Sequence, residues 1–191
     1  MMALLSVGKR KKIFTALNLG EYNKTNIRKF QAKYFTRAAD IDGLYGPDTD
    51  KLLRHVYNCS LVDHFSPFEF KCECGGKYCT GYPTYMNERT LKFMEAIRVY
   101  YKKPVYVTSG LRCVTYNRKT SGAVNNSPHI SGRAVDYYIS GITDTLSQRK
   151  KHIKMIRRME NHDYSYCNGY DSSDRNRYAP NMGNAVHTQT I

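Results

Sequence analysis

The sequence has no apolar run long enough to cross a membrane, and it has no internal repeat or low-complexity tract. It also lacks the signature of a secretory signal, because a short apolar start precedes the basic cluster at residues 9–12, the reverse of the usual order. We therefore expect a protein that is made in a cytoplasm without a signal peptide. Its 191 residues are enough for one good core, or for a moderate core plus a small module.

Acidic residues are scarce. The chain has 16 Asp and Glu against 30 Lys and Arg, which gives a formal net charge of +14. Such an excess favours a polyanionic partner, because the field of the protein steers the two together. Nucleic acid, anionic cell-wall polymers and phospholipid surfaces all fit this charge, and charge alone does not choose among them.

Paired Cys-x-x-Cys units are absent, although the chain has six cysteines. Without an export signal, disulfides are not the first expectation. Three cysteines crowd into one short loop, and these are Cys72, Cys74 and Cys79. They are candidates for a structural metal site with Cys113 or Cys167 as the fourth ligand. Buried free thiols are the simpler interpretation.

The distribution of apolar residues predicts two units. Residues 13–57 follow a helical period, and Gly46-Pro47 opens a helix, so we predict a small all-α, three-helix module over residues 1–58. Residues 62–191 mix helices at 86–101 and 149–160 with short strands at 104–109, 135–139 and 185–190. Helices and non-adjacent strands in this order predict an α+β domain.

The most informative stretch runs from Ser127 to Asp136, where His129 and Asp136 flank a turn at Gly132. Strand alternation puts Asp136 on one face with Ala134, whose small side chain leaves space for a metal and a substrate. In the last strand His187 is the natural third ligand. Two imidazoles and a carboxylate are the ligands of a hydrolytic zinc site, which keeps a fourth position open for water. The pattern therefore predicts a Zn²⁺-dependent hydrolase.

Arg112 follows a strand end and a glycine, a position that suits contact with a substrate carboxylate or with a carbonyl oxygen in the transition state. Further polar residues near the predicted site are candidates for orienting the ligands or the loops around them. These are Ser109, Asn117, Ser127, Asn184 and Gln189.

The N-terminal unit resembles the peptidoglycan-binding module of bacterial and phage wall hydrolases. The resemblance rests on Phe30-Gln-Ala-Lys-Tyr34 and on the turn Asp42-Gly-Leu-Tyr-Gly-Pro-Asp-Thr49. It implies a wall ligand for this unit. The alternative is that the glycines and the proline only build the corner between two helices.

The second unit resembles the zinc D-Ala-D-Ala carboxypeptidase and L-Ala-D-Glu endopeptidase family. The motifs that match are Ser109-Gly-Leu-Arg112, Asn117, Ser127-Pro-His-Ile-Ser-Gly-Arg-Ala-Val-Asp136 and Val186-His187. The resemblance implies a Hedgehog-type domain, with a small antiparallel sheet and flanking helices. It also implies zinc on His129, Asp136 and His187, and cleavage of peptide stems in bacterial peptidoglycan.

A wall-binding module in front of such a domain is the architecture of phage endolysins. We therefore expect a monomer that is made in the host cytoplasm and acts at the cell wall, where peptidoglycan and anionic wall polymers are its partners. No specific nucleic acid and no transmembrane segment are expected.

The acid–base residue of the family pattern is missing. Asn184 stands three residues before the last His, where many family members carry Glu or Asp, and Gln189 stands two residues after it, where some branches carry Asp instead. Three explanations stay open. Another carboxylate takes the role, the zinc-bound hydroxide acts largely unaided, or the protein is a weak or inactive wall-binding protein that keeps its zinc. The candidate carboxylates are Glu69, Asp163, Asp171 and Asp174.

Overall fold

A computed structural model describes residues 3–191; Met1 and Met2, which begin the short apolar start, lie outside the described residues. The described chain is α+β, as the sequence predicted, with six α-helices and one five-stranded sheet. The helices are α1 Val7–Ala16, α2 Lys24–Tyr34, α3 Pro47–Cys59, α4 Glu88–Tyr101, α5 Val114–Lys119 and α6 Leu146–Ile156. The strands are β1 Tyr106–Ser109, β2 Ala134–Tyr138, β3 His162–Cys167, β4 Tyr170–Asp171 and β5 Val186–Thr190. Among residues 3–191, no helix is both long and apolar enough to cross a membrane.

The sheet is antiparallel throughout, with strand order β1-β2-β5-β3-β4. Alternation divides its residues between two faces. Val135, Tyr137 and Val186 are fully buried and belong to the hydrophobic core, together with residues of α4 and α6. Asp136 and His187 therefore lie on the opposite face, which borders a cleft.

The sequence patterns located β1, β2, β5, α4 and α6 to within a few residues, but they missed β3 and β4. The buried positions of β3 include Ser165 and Cys167, so this strand has no aliphatic alternation to detect. Its central hydroxyl, Ser165 Oγ, forms a short hydrogen bond with Thr188 Oγ1 of β5. Polar pairing of this kind depends on the neighbouring strand and leaves no periodic signal.

A buried glutamine organises the turn between α2 and α3. Gln31 Nε2 donates to Asp42 Oδ1 at 2.9 Å and to the Leu44 carbonyl at 3.0 Å, while Gln31 Oε1 accepts from the Gly43 amide at 2.7 Å. Pro47 then starts α3, with Asp48 in its first turn, where the helix dipole favours negative charge. The function of these helices as a peptidoglycan-binding module stays a prediction.

The N-terminal helices share one hydrophobic core with the rest of the chain, because a single cluster of buried side chains extends from Leu5 to Val186. His55 of α3, which is fully buried, connects the two parts. Its Nε2 donates to the Pro67 carbonyl at 3.0 Å, and its Nδ1 accepts from the Met86 amide at 3.2 Å. The hydrophobic core therefore continues across residues 58–62, where the sequence predicts a boundary between the two units.

Because His55 is buried as a neutral imidazole, we predict that the folded protein loses stability in acid. Burial lowers the pKa of His55 from 6.5 to about 4, so between these values the unfolded chain binds a proton that the folded chain does not. Stability falls as the pH drops through this window, and we expect a loss from this residue of about 2 kcal/mol between pH 7 and pH 5. Urea unfolding at both pH values measures it. The His55→Gln variant should show a smaller pH dependence than the wild type, and an equal dependence would contradict the assignment.

Gly132 shapes the turn that carries His129. It has φ +69°, and a Cβ at this position would overlap with the carbonyl oxygen of Tyr85. Its own carbonyl accepts from the Asn87 amide at 2.9 Å and from Thr90 Oγ1 at 3.3 Å, both at the start of α4. The turn is thus held against the N-terminus of α4 at a distance that only glycine permits.

We expect Gly132→Ala to destabilise the protein through both backbone strain and overlap. Gly122→Ala is a matched control, because Gly122 has φ +75° but nothing within 4 Å of an added Cβ. In the control, the left-handed conformation alone should lower the free energy of unfolding by about 1–2 kcal/mol. Gly132→Ala should lower it by roughly 2 kcal/mol more, because of the overlap with Tyr85. Urea unfolding followed by circular dichroism measures the stability of both variants. Equal losses of stability would show that the close contact with Tyr85 adds nothing to the cost at Gly132.

Candidate active site

A cleft of about 890 Å³ borders the open face of the sheet. Its lining includes the metal-ligand candidates His129, Asp136 and His187, together with segments 120–124 and 181–185. A volume of this size is typical of ligand-binding sites. Three titratable groups therefore converge where a substrate has room to bind.

His129 lies in a short 3₁₀ turn, Pro128–Ser131, and is 2 % exposed. Its Nδ1 contacts the Gly110 carbonyl at 2.7 Å, which fixes Nδ1 as the protonated nitrogen and leaves the lone pair on Nε2. Nε2 lies 3.3 Å from His187 Nδ1 and 3.4 Å from Asp136 Oδ2. Burial lowers the pKa of His129, which favours the neutral imidazole that binds metals.

Asp136 and His187 face each other directly across strands β2 and β5. Asp136 Oδ1 lies 2.7 Å from His187 Nδ1. Burial raises the pKa of Asp136, but its interactions with His129 and His187 outweigh burial and hold this pKa well below the ordinary value. The carboxylate is therefore charged, and nitrogen atoms of His129, His187 and Arg112 lie within 3.5 Å of it.

The three side chains offer one ligand atom each, and these atoms lie within 4.8 Å of one another. Two imidazole nitrogens and one carboxylate oxygen suit zinc, and three protein ligands leave a coordination position open. The donor set and its spacing thus fit the ion. His187 is fixed further by the Tyr166 ring, which stacks on it with a centroid distance of 4.6 Å.

Arg112 lies at the edge of this group and is 8 % exposed. Its Nη2 donates to Ser109 Oγ at 3.0 Å and lies 3.5 Å from Asp136 Oδ2. Its Nε has no hydrogen-bond partner within the described chain, although it is buried. Arg112 therefore lines the cleft with a guanidinium group whose hydrogen-bonding capacity is not fully used by the described chain.

The predicted supporting residues all surround the site. Asn117 Oδ1 lies 3.5 Å from Arg112 Nη1, and Asn117 Nδ2 donates to the Val124 carbonyl at 2.9 Å. Ser127 and Asn184 line the cleft. Gln189 Oε1 lies 3.5 Å from His187 Nε2, and Gln189 Nε2 donates to Asp163 Oδ2 at 2.7 Å.

The four carboxylates considered from sequence do not line the cleft. Glu69 caps a 3₁₀ turn at the Ser66 amide, and Asp163 reaches the site only through Gln189. Asp171 accepts from the Tyr164 hydroxyl at 2.9 Å, and Asp174 pairs with Arg157 at 2.6 Å. Each has another partner, so the 171–174 loop does not supply a carboxylate to the cleft.

Glu73 was missed. Within the described chain, it is the one carboxylate besides Asp136 that lines the cleft. Partial burial raises its pKa, against the opposing charge of Arg112. Its only signal in the sequence is its place between Cys72 and Cys74, which suggested a metal and not an acid–base group.

A cleft with two imidazoles, a carboxylate and an arginine at its base is the kind of site that metal-dependent hydrolases use. The family model described as Peptidase M15 matches residues 63–177, which is more than half of the chain. The chain therefore belongs to the peptidase M15 family, whose members are zinc-dependent peptidases. No curated protein and no solved structure matches the sequence.

The match includes Glu73, Arg112, His129 and Asp136, but it ends before His187. His187 is therefore a candidate ligand because of its geometry opposite Asp136, and not because of the family match. The match also excludes α1 to α3, so it gives no role to the N-terminal helices.

Proposed function

We propose that the protein is a zinc-dependent peptidase that cleaves the peptide stems of bacterial peptidoglycan. One observation carries the proposal: His129 Nε2, His187 Nδ1 and the Asp136 carboxylate converge at the base of a cleft in a chain of the peptidase M15 family. Zinc held by these residues would supply Lewis acidity, which activates a water molecule and polarises a carbonyl group.

The residues of the chain then have distinct tasks. Arg112, which lines the cleft beside Asp136, binds the substrate or the oxygen that gains negative charge in the transition state. Glu73, the unassigned carboxylate of the cleft, accepts a proton from the attacking water and returns it to the leaving amine. The Gly110 carbonyl keeps His129 in the tautomer that presents Nε2.

The cleft suits an anionic peptide. Arg112 and Arg177 both line it, and the Arg177 guanidinium lies over the Tyr166 ring at 4.7 Å. Stem peptides carry free carboxylates that such groups bind. The net charge of +14 favours approach to peptidoglycan and the anionic polymers around it.

The biological role that fits these properties is that of a phage endolysin, a monomer made in the host cytoplasm that acts at the wall. In this role the helices α1 to α3 contribute wall binding, and the peptidase part cuts the stems as a carboxypeptidase or an endopeptidase. The helical turn at residues 42–49 supports this role.

Digestion of purified peptidoglycan tests the activity. We expect the wild type to release stem fragments, which mass spectrometry identifies together with the bond that is cut. Chelation of zinc and the variant His129→Ala should each reduce release by at least about a thousandfold, because both remove the Lewis acid. Zinc-loaded wild type that sediments with walls but cleaves nothing would overturn the peptidase proposal in favour of a wall-binding protein that retains zinc.

The variant Glu73→Gln tests the proton acceptor. We expect it to lower kcat by roughly 10²–10⁴-fold with the same zinc content as the wild type, because the amide cannot accept the proton. Glu69→Gln is the matched control, since Glu69 lies nearby in sequence but outside the cleft lining, and it should retain activity. An unchanged kcat in Glu73→Gln would remove this residue from the mechanism.

A further inference from the structure

A second cluster of metal-ligand atoms lies outside the cleft lining. The Sγ atoms of Cys72, Cys74, Cys79 and Cys113 all lie within 4.8 Å of one another. Three of the four cysteines are buried, and Cys79 is half-buried. All six cysteines of the chain lie within the described residues, and all are free thiols. Four thiols have thus converged without forming a disulfide.

The loop that carries three of these cysteines lacks regular secondary structure. Residues 71–87 contain turns and bends but no helix or strand. The buried cysteines form their own small cluster with Tyr78 and Tyr116, separate from the main hydrophobic core. Irregular segments of this length are uncommon in compact proteins unless another constraint fixes them.

Backbone amides point at the sulfur atoms. The Cys113 amide lies 3.4 Å from Cys72 Sγ, and the Tyr116 amide lies 3.4 Å from Cys113 Sγ. Hydrogen bonds of this kind stabilise the charged thiolate, which is the form that binds metals. Gly75 and Gly76, with φ +62° and +84°, turn the chain between Cys74 and Cys79, whose Sγ atoms lie 3.4 Å apart.

We propose that Cys72, Cys74, Cys79 and Cys113 bind a structural zinc ion, separate from the site in the cleft. With Zn–S bonds of about 2.3 Å, a tetrahedral site has sulfur–sulfur distances of roughly 3.8 Å, which the observed cluster accommodates. Each thiol that binds releases its proton to solvent. Four protein ligands leave no open position, so this ion has a structural role and not a catalytic one.

This site goes beyond the proposed peptidase activity and does not depend on it. It joins residues 72–79 to Cys113, which is adjacent to Arg112 and begins α5 as its N-cap. Glu73 lies between two of the ligands. Zinc here would therefore fix the backbone on both sides of a residue that lines the cleft.

Metal content of the full-length chain, purified with zinc present, tests the proposal. Elemental analysis and native mass spectrometry should find two zinc ions per wild-type chain and one in Cys113→Ser. Cys167→Ser is the matched control, because Cys167 is buried but lies outside the cluster, and it should keep two. His129→Ala should retain the thiolate-bound ion, which separates this result from any failure of the cleft site.

Cobalt spectroscopy gives an answer even if Cys113→Ser does not fold. Co²⁺ added to the His129→Ala variant should produce the thiolate charge-transfer absorption and the strong visible bands of tetrahedral sulfur coordination. Absence of these bands would overturn the proposal. So would a chain that binds only one zinc, lost in His129→Ala and kept in Cys113→Ser, or a Cys74–Cys79 disulfide found under non-reducing conditions.

Discussion

The close approach of Gly110 to Phe70 is the contact on which the site depends. An added Cβ at Gly110 would lie 2.5 Å from Phe70 Cα, and the next amide, of Leu111, donates to the Phe70 carbonyl at 2.8 Å. This contact lays the segment before Cys72 along the end of β1. The Gly110 carbonyl then holds His129, while Arg112 reaches Asp136. One five-residue segment, Ser109–Cys113, thus serves both the cleft and the cysteine cluster.

Asp136 is the negative charge around which the nitrogen-bearing side chains of the cleft are arranged. A buried carboxylate is costly unless it is paired, and here His129, His187 and Arg112 surround it. Antiparallel register places Asp136 opposite His187, and the adjacent pair places Tyr166 opposite His187 on the other side. The relative position of Asp136 and His187 therefore follows from strand pairing, while the loops at 120–124 and 181–185 line other parts of the cleft.

Much of this arrangement could be predicted from the sequence, because it depends on local rules. The turn at Gly132 and the alternation of β2 put Asp136 on the same face as Ala134, and the same parity on β5 selects His187. Glu73 could not be found in this way, because it enters the cleft through the packing of Phe70 on Gly110. The choice of Cys113 over Cys167 as a partner for Cys72 likewise depends on which loops meet in the folded chain.

The N-terminal helices support the cysteine loop directly. The Thr36 amide, just after α2, donates to the Thr80 carbonyl at 3.3 Å, and Gly76 is packed so tightly that an added Cβ would lie 2.9 Å from Thr36 Cγ2. Tyr34 stacks on Phe68 with a centroid distance of 5.0 Å. A freely tethered module would lack such contacts. These contacts therefore fix the N-terminal helices relative to the loop that carries Glu73, so the helices and the cleft form one packed unit.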